Sequence, residues 1–531
     1  MGFINKAASI LRFDTGDRRF ELLEREEGSP DLFMGWNDVA PNTQIPQKTF
    51  HTSVDKNEKL IRKLFSSDVN TDLIIRRFET SNCTRMMLVY MNGMARDETI
   101  ARFVLSPLMN LHEKYPNDPK FILESVIEIP ESSTEKEPQK ILKAILNGKT
   151  ALFIDGSKEC VVLETRGYEK RAVAQTENEK IVRGPKEGFN ENLRTNITLI
   201  RRIVRTRDLI AEYVEDPGEN GTDIALVYRG GFTNKALVNE VRKRLKRINT
   251  KALSSTGIVE QLIEDDPYSP LPQALSTERP DRVASFLMQG AAAVLAEGSP
   301  YALVMPVTLS ALLSSPEDAY MRRPLGTVIR IVRYIGAFTS IIFPGYFVAL
   351  AMYHQGLLST EVLSTVIKSR EMVFEPLPFE MILLLFIFQL IREAGMRVPS
   401  SVGQAIGVIG GLILGQAAVA ANLASTVILI IVAISGLGNL CIPDYSTQVA
   451  ASYFRFAFVI AAWMGGLLGL CSAFIVFVAY LVNLKSFGVP FISPFAPKTG
   501  SKRPFVLRGR FGMHLRADDY MNSEDDDRIE A

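Results

Sequence analysis

The stretch RVPSSVGQAIGVIGGLILGQAAVAANLASTVILIIVAISGLGNLCIPD, residues 397–444, decides the architecture. Between Arg397 and Asp444 it carries no charged side chain, and glycine recurs every fourth residue at Gly403, Gly407, Gly411 and Gly415. An uncharged run of that length is too long for the core of a soluble helix and reads as a membrane-embedded hairpin. Glycines at this spacing leave a flat groove along one helix face, against which another backbone packs closely. Lipid gives helices little hydrophobic reason to associate, so the groove predicts helix packing inside the bilayer and an integral membrane protein that self-assembles.

Outward from this stretch, apolar segments lie at Ile335–Tyr353, Leu377–Ile391, Val402–Ala421, Ala424–Ile442 and Phe456–Leu484. Arg322, Arg323, Arg330 and Arg333 precede the first, and Lys485, Lys498, Lys502, Arg503, Arg508 and Arg510 follow the last. The positive-inside rule puts both flanks in the cytoplasm, which requires an even number of crossings. Leu377–Ile391 falls short of the roughly 20 residues a span needs, and it has Glu380 near its start and Arg392-Glu393 after its end. It is read as short or re-entrant, which leaves four full spans. The alternative is five crossings with the tail outside.

The polar remainder dilutes this signal: over 531 residues the net charge is +1 and the mean hydropathy only +0.09. Residues 1–50 form an irregular arm. Residues 51–175 and 176–330 alternate short apolar runs with amphipathic stretches, as mixed α and β domains do, and they echo one another. Thr84-Arg-Met-Met-Leu-Val-Tyr-Met-Asn-Gly93 parallels Thr222-Asp-Ile-Ala-Leu-Val-Tyr-Arg-Gly-Gly231. Asn147-Gly148, Ala151 and Asp155-Gly156-Ser157 parallel Gln289-Gly290, Ala293 and Glu297-Gly298-Ser299. The expected fold is an α+β (α/β) soluble N-terminal region of two related subdomains, followed by an α-helical transmembrane bundle over 331–485. A basic, then acidic, cytoplasmic tail occupies 486–531.

No enzyme motif is found: there is no Walker A loop, GxSxG elbow or dinucleotide fingerprint. Four cysteines and four histidines are dispersed, so neither disulfide framework nor metal spacing is present. No catalytic residue, metal ligand or cofactor is expected. The near-neutral charge gives no reason to expect nucleic acid. The basic run Arg242-Lys-Arg-Leu-Lys-Arg247 lacks interleaved aromatics and reads as a solvated helix face. The first twenty residues lack an apolar core for a cleavable signal peptide, which keeps the first third on the cytoplasmic side.

Polar groups at bilayer depth must face protein or water, since an unsatisfied amide in hydrocarbon is costly. Gln404, Gln416, Asn422 and Asn439 are such groups. Each either bonds a neighbouring helix or, in an oligomer, lines a water path; Gln404, Gln416 and Asn422 are the candidate pore-lining residues. Arg392, Glu393 and Arg397 form a charged cluster that fits a headgroup loop or a gate at a pore mouth.

At these residues the chain resembles the A-subunit family of spore germination receptors, the GerA family. Arg183-Gly-Pro-Lys-Glu-Gly-Phe189, Asn196, Leu199-Ile-Arg-Arg202, Thr277-Glu-Arg-Pro-Asp281, Glu297-Gly-Ser-Pro300 and Ser315-Pro-Glu-Asp318 carry the likeness in the soluble part. Arg392-Glu-Ala-Gly395, Arg397, Pro399 and Gly415-Gln-Ala-Ala-Val419 carry it in the membrane. Leu390-Ile-Arg-Glu-Ala-Gly395 and Ala417-Ala-Val-Ala-Ala-Asn422 are also similar to the SpoVAF branch, an accessory that amplifies germination. The resemblance implies a ring, a pentamer, in the spore inner membrane. It further implies a gated channel for monovalent cations, with a transporter-like B subunit and a lipoprotein C subunit as partners. A non-conducting scaffold that assembles partners explains the soluble region and the glycine groove equally well.

Overall fold

Residues 85–91, RMMLVYM, alternate between two apolar surfaces. Met86, Leu88 and Tyr90 enter one core; Met87, Val89 and Met91 enter another. A strand sends successive side chains to opposite faces, so a strand apolar on both needs a covering layer on both. The computed structural model, which describes residues 45–46, 49–80, 83–110, 118–167, 174–176, 178–214, 222–248, 255–397, 415–496 and 519–523, supplies those layers twice.

The first sheet comprises β1 (Leu73–Glu79), β2 (Arg85–Met91), β3 (Ser132–Glu135), β4 (Thr150–Ile154) and β5 (Cys160–Leu163), in the order β1-β2-β4-β5-β3, every pairing antiparallel. Helices α1 (Val54–Phe65) and α2 (Pro138–Leu146) seal one face with Ile61, Leu64, Phe65, Ile141, Leu142 and Ile145. The second unit begins with α3 (Leu193–Ile203) and contains β6 (Leu209–Val214), β7 (Ile224–Arg229), α4 (Lys235–Lys246), α5 (Thr256–Ile263), β8 (Leu275–Thr277), α6 (Pro280–Leu287), β9 (Ala292–Ala296) and β10 (Ala302–Met305). Its strand order, β6-β7-β9-β10-β8, repeats that of the first. The register repeats too: Val89 pairs with Ala151, and Val227 with Ala293. The sequence echo is thus a duplicated sheet topology. A buried ion pair from Arg201 to Asp72 (2.9 Å) and a hydrogen bond from Thr71 Oγ1 to the Ala211 carbonyl (2.8 Å) join the units.

The basic run on α4 differs from the solvated face expected of it. Arg242 pairs with Glu212, and Arg244 is buried between Glu240, Asp265 and the Phe487 ring. Glu212 and Asp265, distant in sequence, supply two of these partners, and a local pattern does not register them.

The helical region contains α7 (Arg323–Tyr353), α8 (Thr360–Arg370), α9 (Leu377–Arg397), a helical turn at residues 415–420, α10 (Thr426–Leu440) and α11 (Tyr445–Asn483). Two of them, α7 and α11, are long and apolar enough to cross a membrane. The sequence read one span at Phe456–Leu484; the structure shows a folded-back pair of arms starting at Tyr445. Gly465 and Gly466 leave helical geometry, Gly466 with φ +56°, a region that favours glycine. The rings of Phe454 and Phe477 then stack 4.7 Å apart, where a straight helix would separate them by about 34 Å. The arms, residues 445–464 and 467–483, are about 30 and 26 Å long, close to the thickness of a hydrocarbon core.

Helix α9 also departs from expectation. It runs 21 residues, to Arg397, and is not a short segment. Its Glu380 meets the start of α10 at Ser425, while Phe388 packs on Gly436 near the end of α10, so α9 follows α10 across the height of the bundle. After α11 the chain returns to the soluble region instead of leaving as a free tail. Phe487, Val489 and Phe491 are buried in the second unit, and Asn234 donates to the Asn522 carbonyl (2.9 Å).

Candidate functional site

A polar layer crosses the apolar bundle. Ser340 on α7, Arg392 on α9, Ser435 and Asn439 on α10, and Ser452 and Arg455 on α11 meet at one level. Arg455, 1% exposed, donates from Nη1 to Ser435 Oγ (3.1 Å) and from Nη2 to Ser452 Oγ (2.9 Å). Ser435 Oγ donates onward to the Ser340 carbonyl (2.9 Å). Asn439 turns its amide oxygen to Arg392 Nη1 (2.6 Å) and its nitrogen to the Gln448 carbonyl (3.2 Å). Arg455 lies ten residues into its arm, about 15 Å deep, halfway across it. A charge at such depth faces the bundle interior and marks a functional position by default. Among the described residues neither guanidinium has a carboxylate within ion-pair distance, and Arg392 stands in electrostatic reach of Arg455. Two positive charges at one level repel a passing cation.

Two other buried charges of the bundle, Glu380 and Arg333, have charged partners. Fully buried Glu380 accepts from the Ser425 N–H and from Arg370 Nε (3.3 Å). At the opposite end Arg333 holds Asp318 at 2.9 and 3.1 Å and the Leu313 carbonyl at 3.0 Å. Asp318 closes the Ser315-Pro-Glu-Asp318 string, which therefore anchors α7 to the soluble region.

The seam between soluble region and bundle is continuous. Ala450, Leu481 and Leu484 share one core with Leu295, Val304 and Leu312, and the Tyr480 and Ser269 hydroxyls lie 2.7 Å apart. Carboxylates gather beside it. Burial pushes Glu260 up to about 8, with Glu264 and Asp444 adding repulsion. Burial likewise raises Glu264 to about 7, against hydrogen bonds from the Gln273 and Ala274 amides.

The structure brings together only part of the set that the sequence singled out. Gly403, Gln404, Gly407 and Gly411 lie outside the described residues, as does the side chain of Arg397. Among the described residues Gly415 meets only Leu429, at an ordinary 3.5 Å from an added Cβ. Gln416 and Asn422 are exposed, and Asn422 ends its turn in the left-handed region (φ +54°). Arg392 enters the layer; Glu393, one residue on, is in electrostatic reach of it. A tight helix approach is found elsewhere, where Gly438 meets Gly336: a Cβ on Gly438 would sit 2.5 Å from the Gly336 carbonyl oxygen. Sequence reasoning missed Arg455 because it read the apolar segment as starting at Phe456. An arginine ten residues inside a 39-residue apolar helix was the available signal.

A family profile described as Bacillus/Clostridium GerA spore germination protein matches residues 59–518. Spore germination protein KA of Bacillus subtilis (strain 168) is 34% identical over 432 residues, covering 81% of this chain and 79% of its own length. Spore germination protein A1 of the same organism is 37% identical over 356 residues, 67% of this chain and 74% of its own. A crystal structure of the N-terminal domain of the A subunit of the Bacillus megaterium spore germinant receptor GerK3 is 27% identical, with a TM-score of 0.39, over 50% of this chain and 97% of that one. The match over most of the chain makes this protein a member of the GerA family of spore germination proteins.

Proposed function

We propose that this chain is the A-subunit-like component of a germination receptor and forms a ring, a pentamer, that gates release of monovalent cations. The ring sits in the spore inner membrane with its soluble region in the cytoplasm. Arg322, Arg323, Arg330 and Arg333, all at or just inside the soluble-side end of α7, support that orientation.

The single observation that carries the reading is the shared core at the seam, where Ala450, Leu481 and Leu484 pack into the second sheet unit. A shift of the soluble region therefore moves both arms of α11, which is what a gate driven by a partner's ligand state requires. The cationic layer argues against a cation path through one subunit and supports one between copies, where exposed Gln416 supplies a polar surface. A transporter-like B subunit and a lipoprotein C subunit are the partners, with lipid around the exposed apolar faces. Spores carrying Gln416→Leu test this: altered cation release with intact partner assembly supports the channel. Unaltered release with intact assembly favours the scaffold or an accessory role of the SpoVAF type.

A further inference from the structure

Arg201, Arg229, Arg244, Arg279, Arg282 and Arg333 are buried, and each holds a carboxylate within ion-pair distance. Arg455 is the exception among the buried arginines of the described residues. Both its terminal nitrogens go to neutral serine hydroxyls, and its Nε–H is buried without an acceptor. Its companion Arg392 uses Nη1 on Asn439 and leaves Nε and Nη2 buried without acceptors.

Those two vacant groups are not scattered donors. Nε–H and Nη2–H form one edge of the planar guanidinium, the edge that grips both oxygens of a carboxylate at once. Serine and asparagine bring no negative charge to the layer. Glu393 is one residue on, about 100° round the helix, and makes no ion pair with Arg392. Buried charge is retained where something answers it, and among the described residues no carboxylate reaches either guanidinium at ion-pair distance.

We propose that the Nε–Nη2 edge of Arg392, backed by the positive charge of Arg455, is a binding site for a small carboxylate anion. A carboxylate offers two oxygens to the edge and a further lone pair to Arg455 Nε. A halide offers one centre and cannot answer both donors of the edge in the same way. The donors are closed to solvent here, so the anion enters as α9 and α11 part. By bridging Arg392 on α9 to Arg455 on α11 it favours that separated arrangement, as any ligand favours the state it binds better.

The test uses the full chain in lipid nanodiscs, titrated with sodium acetate or sodium chloride at constant ionic strength, with the thermal unfolding midpoint as readout. Acetate is expected to raise the midpoint saturably, half-saturating at a concentration about tenfold below chloride, the equivalent of one extra charge-assisted hydrogen bond. Arg392→Lys keeps the charge but loses the two-donor edge, and should raise the half-saturating concentration of acetate by about tenfold. A midpoint indifferent to acetate overturns the proposal, as does an equal response to chloride or an unchanged response in Arg392→Lys. If that variant does not fold, line broadening of carbon-13 acetate on the wild-type protein, reversed by unlabelled formate, decides instead: no saturable broadening overturns the site.

Discussion

Replacing Gly438 by alanine places a methyl group where α7 and α10 cross. Its carbon would lie 2.5 Å from the Gly336 carbonyl oxygen and 3.3 Å from the Ser340 backbone nitrogen, and neither atom belongs to a side chain that can rotate away. Ordinary contact begins near 3.4 Å, so the helices must separate by about 0.9 Å. The Ser435–Ser340 hydrogen bond, one turn away at 2.9 Å, stretches beyond bonding range with them. Overpacking of this kind costs about 1–3 kcal/mol, and the lost hydrogen bond about 1 kcal/mol. Alanine returns about 1 kcal/mol in helix propensity. The net is a destabilisation of about 1–3 kcal/mol. Gly415→Ala is the control: its added carbon meets Leu429 at 3.5 Å, so it should be neutral or stabilise by up to about 1 kcal/mol. Unfolding by SDS titration in mixed micelles, followed by circular dichroism, measures both. A Gly438→Ala protein as stable as wild type, or a Gly415→Ala protein that loses more, refutes the packing argument.

Two further outcomes follow from the seam. Burial holds Glu260 up at about 8 and Glu264 at about 7, above the usual carboxylate value of 4.5. The folded state therefore holds more protons than the unfolded state. The stability this confers is full below about pH 4.5 and is lost as pH rises through 7 to 8. Glu260→Gln paired with Glu264→Gln should flatten the unfolding midpoint between pH 5 and 8; a slope equal to wild type would count against burial as the cause. Tyr480→Phe removes the 2.7 Å hydroxyl contact to Ser269 and should cost about 1 kcal/mol. It should also slow cation release from spores while leaving assembly unchanged; release at the wild-type rate would mean that this contact does not transmit motion.

Much of the fold was legible because it rests on periodicity. The parallel apolar strings within Thr84–Gly93 and Thr222–Gly231, each closed by a glycine turn, announced two related sheets, and the register of Ala151 and Ala293 agrees with that echo residue for residue. The reversal in α11 was not legible, because Gly465-Gly466 stands in an apolar run that composition alone reads as continuous. The tight packing at Gly438 was missed for a related reason. Four-residue glycine spacing is visible in a sequence, whereas the Gly438–Gly336 crossing joins positions about a hundred residues apart. Arg392 was found from its charge, but its partner Asn439 was known only as an amide at bilayer depth. Arg455 became visible once the hairpin put it level with Ser435. The docked segment around Phe487 was hidden behind the lysines and arginines that flank it.

The claim at the centre of this account is that copies of the chain enclose a gated cation path between them. Ion current across a planar bilayer holding the purified full chain, beside its Gln416→Leu variant, tests it most directly. The account predicts discrete, cation-selective currents in the wild type and a changed unit conductance in the variant. Silence from an oligomer of correct mass in the presence of its partner subunits, or currents identical in the two proteins, would contradict it.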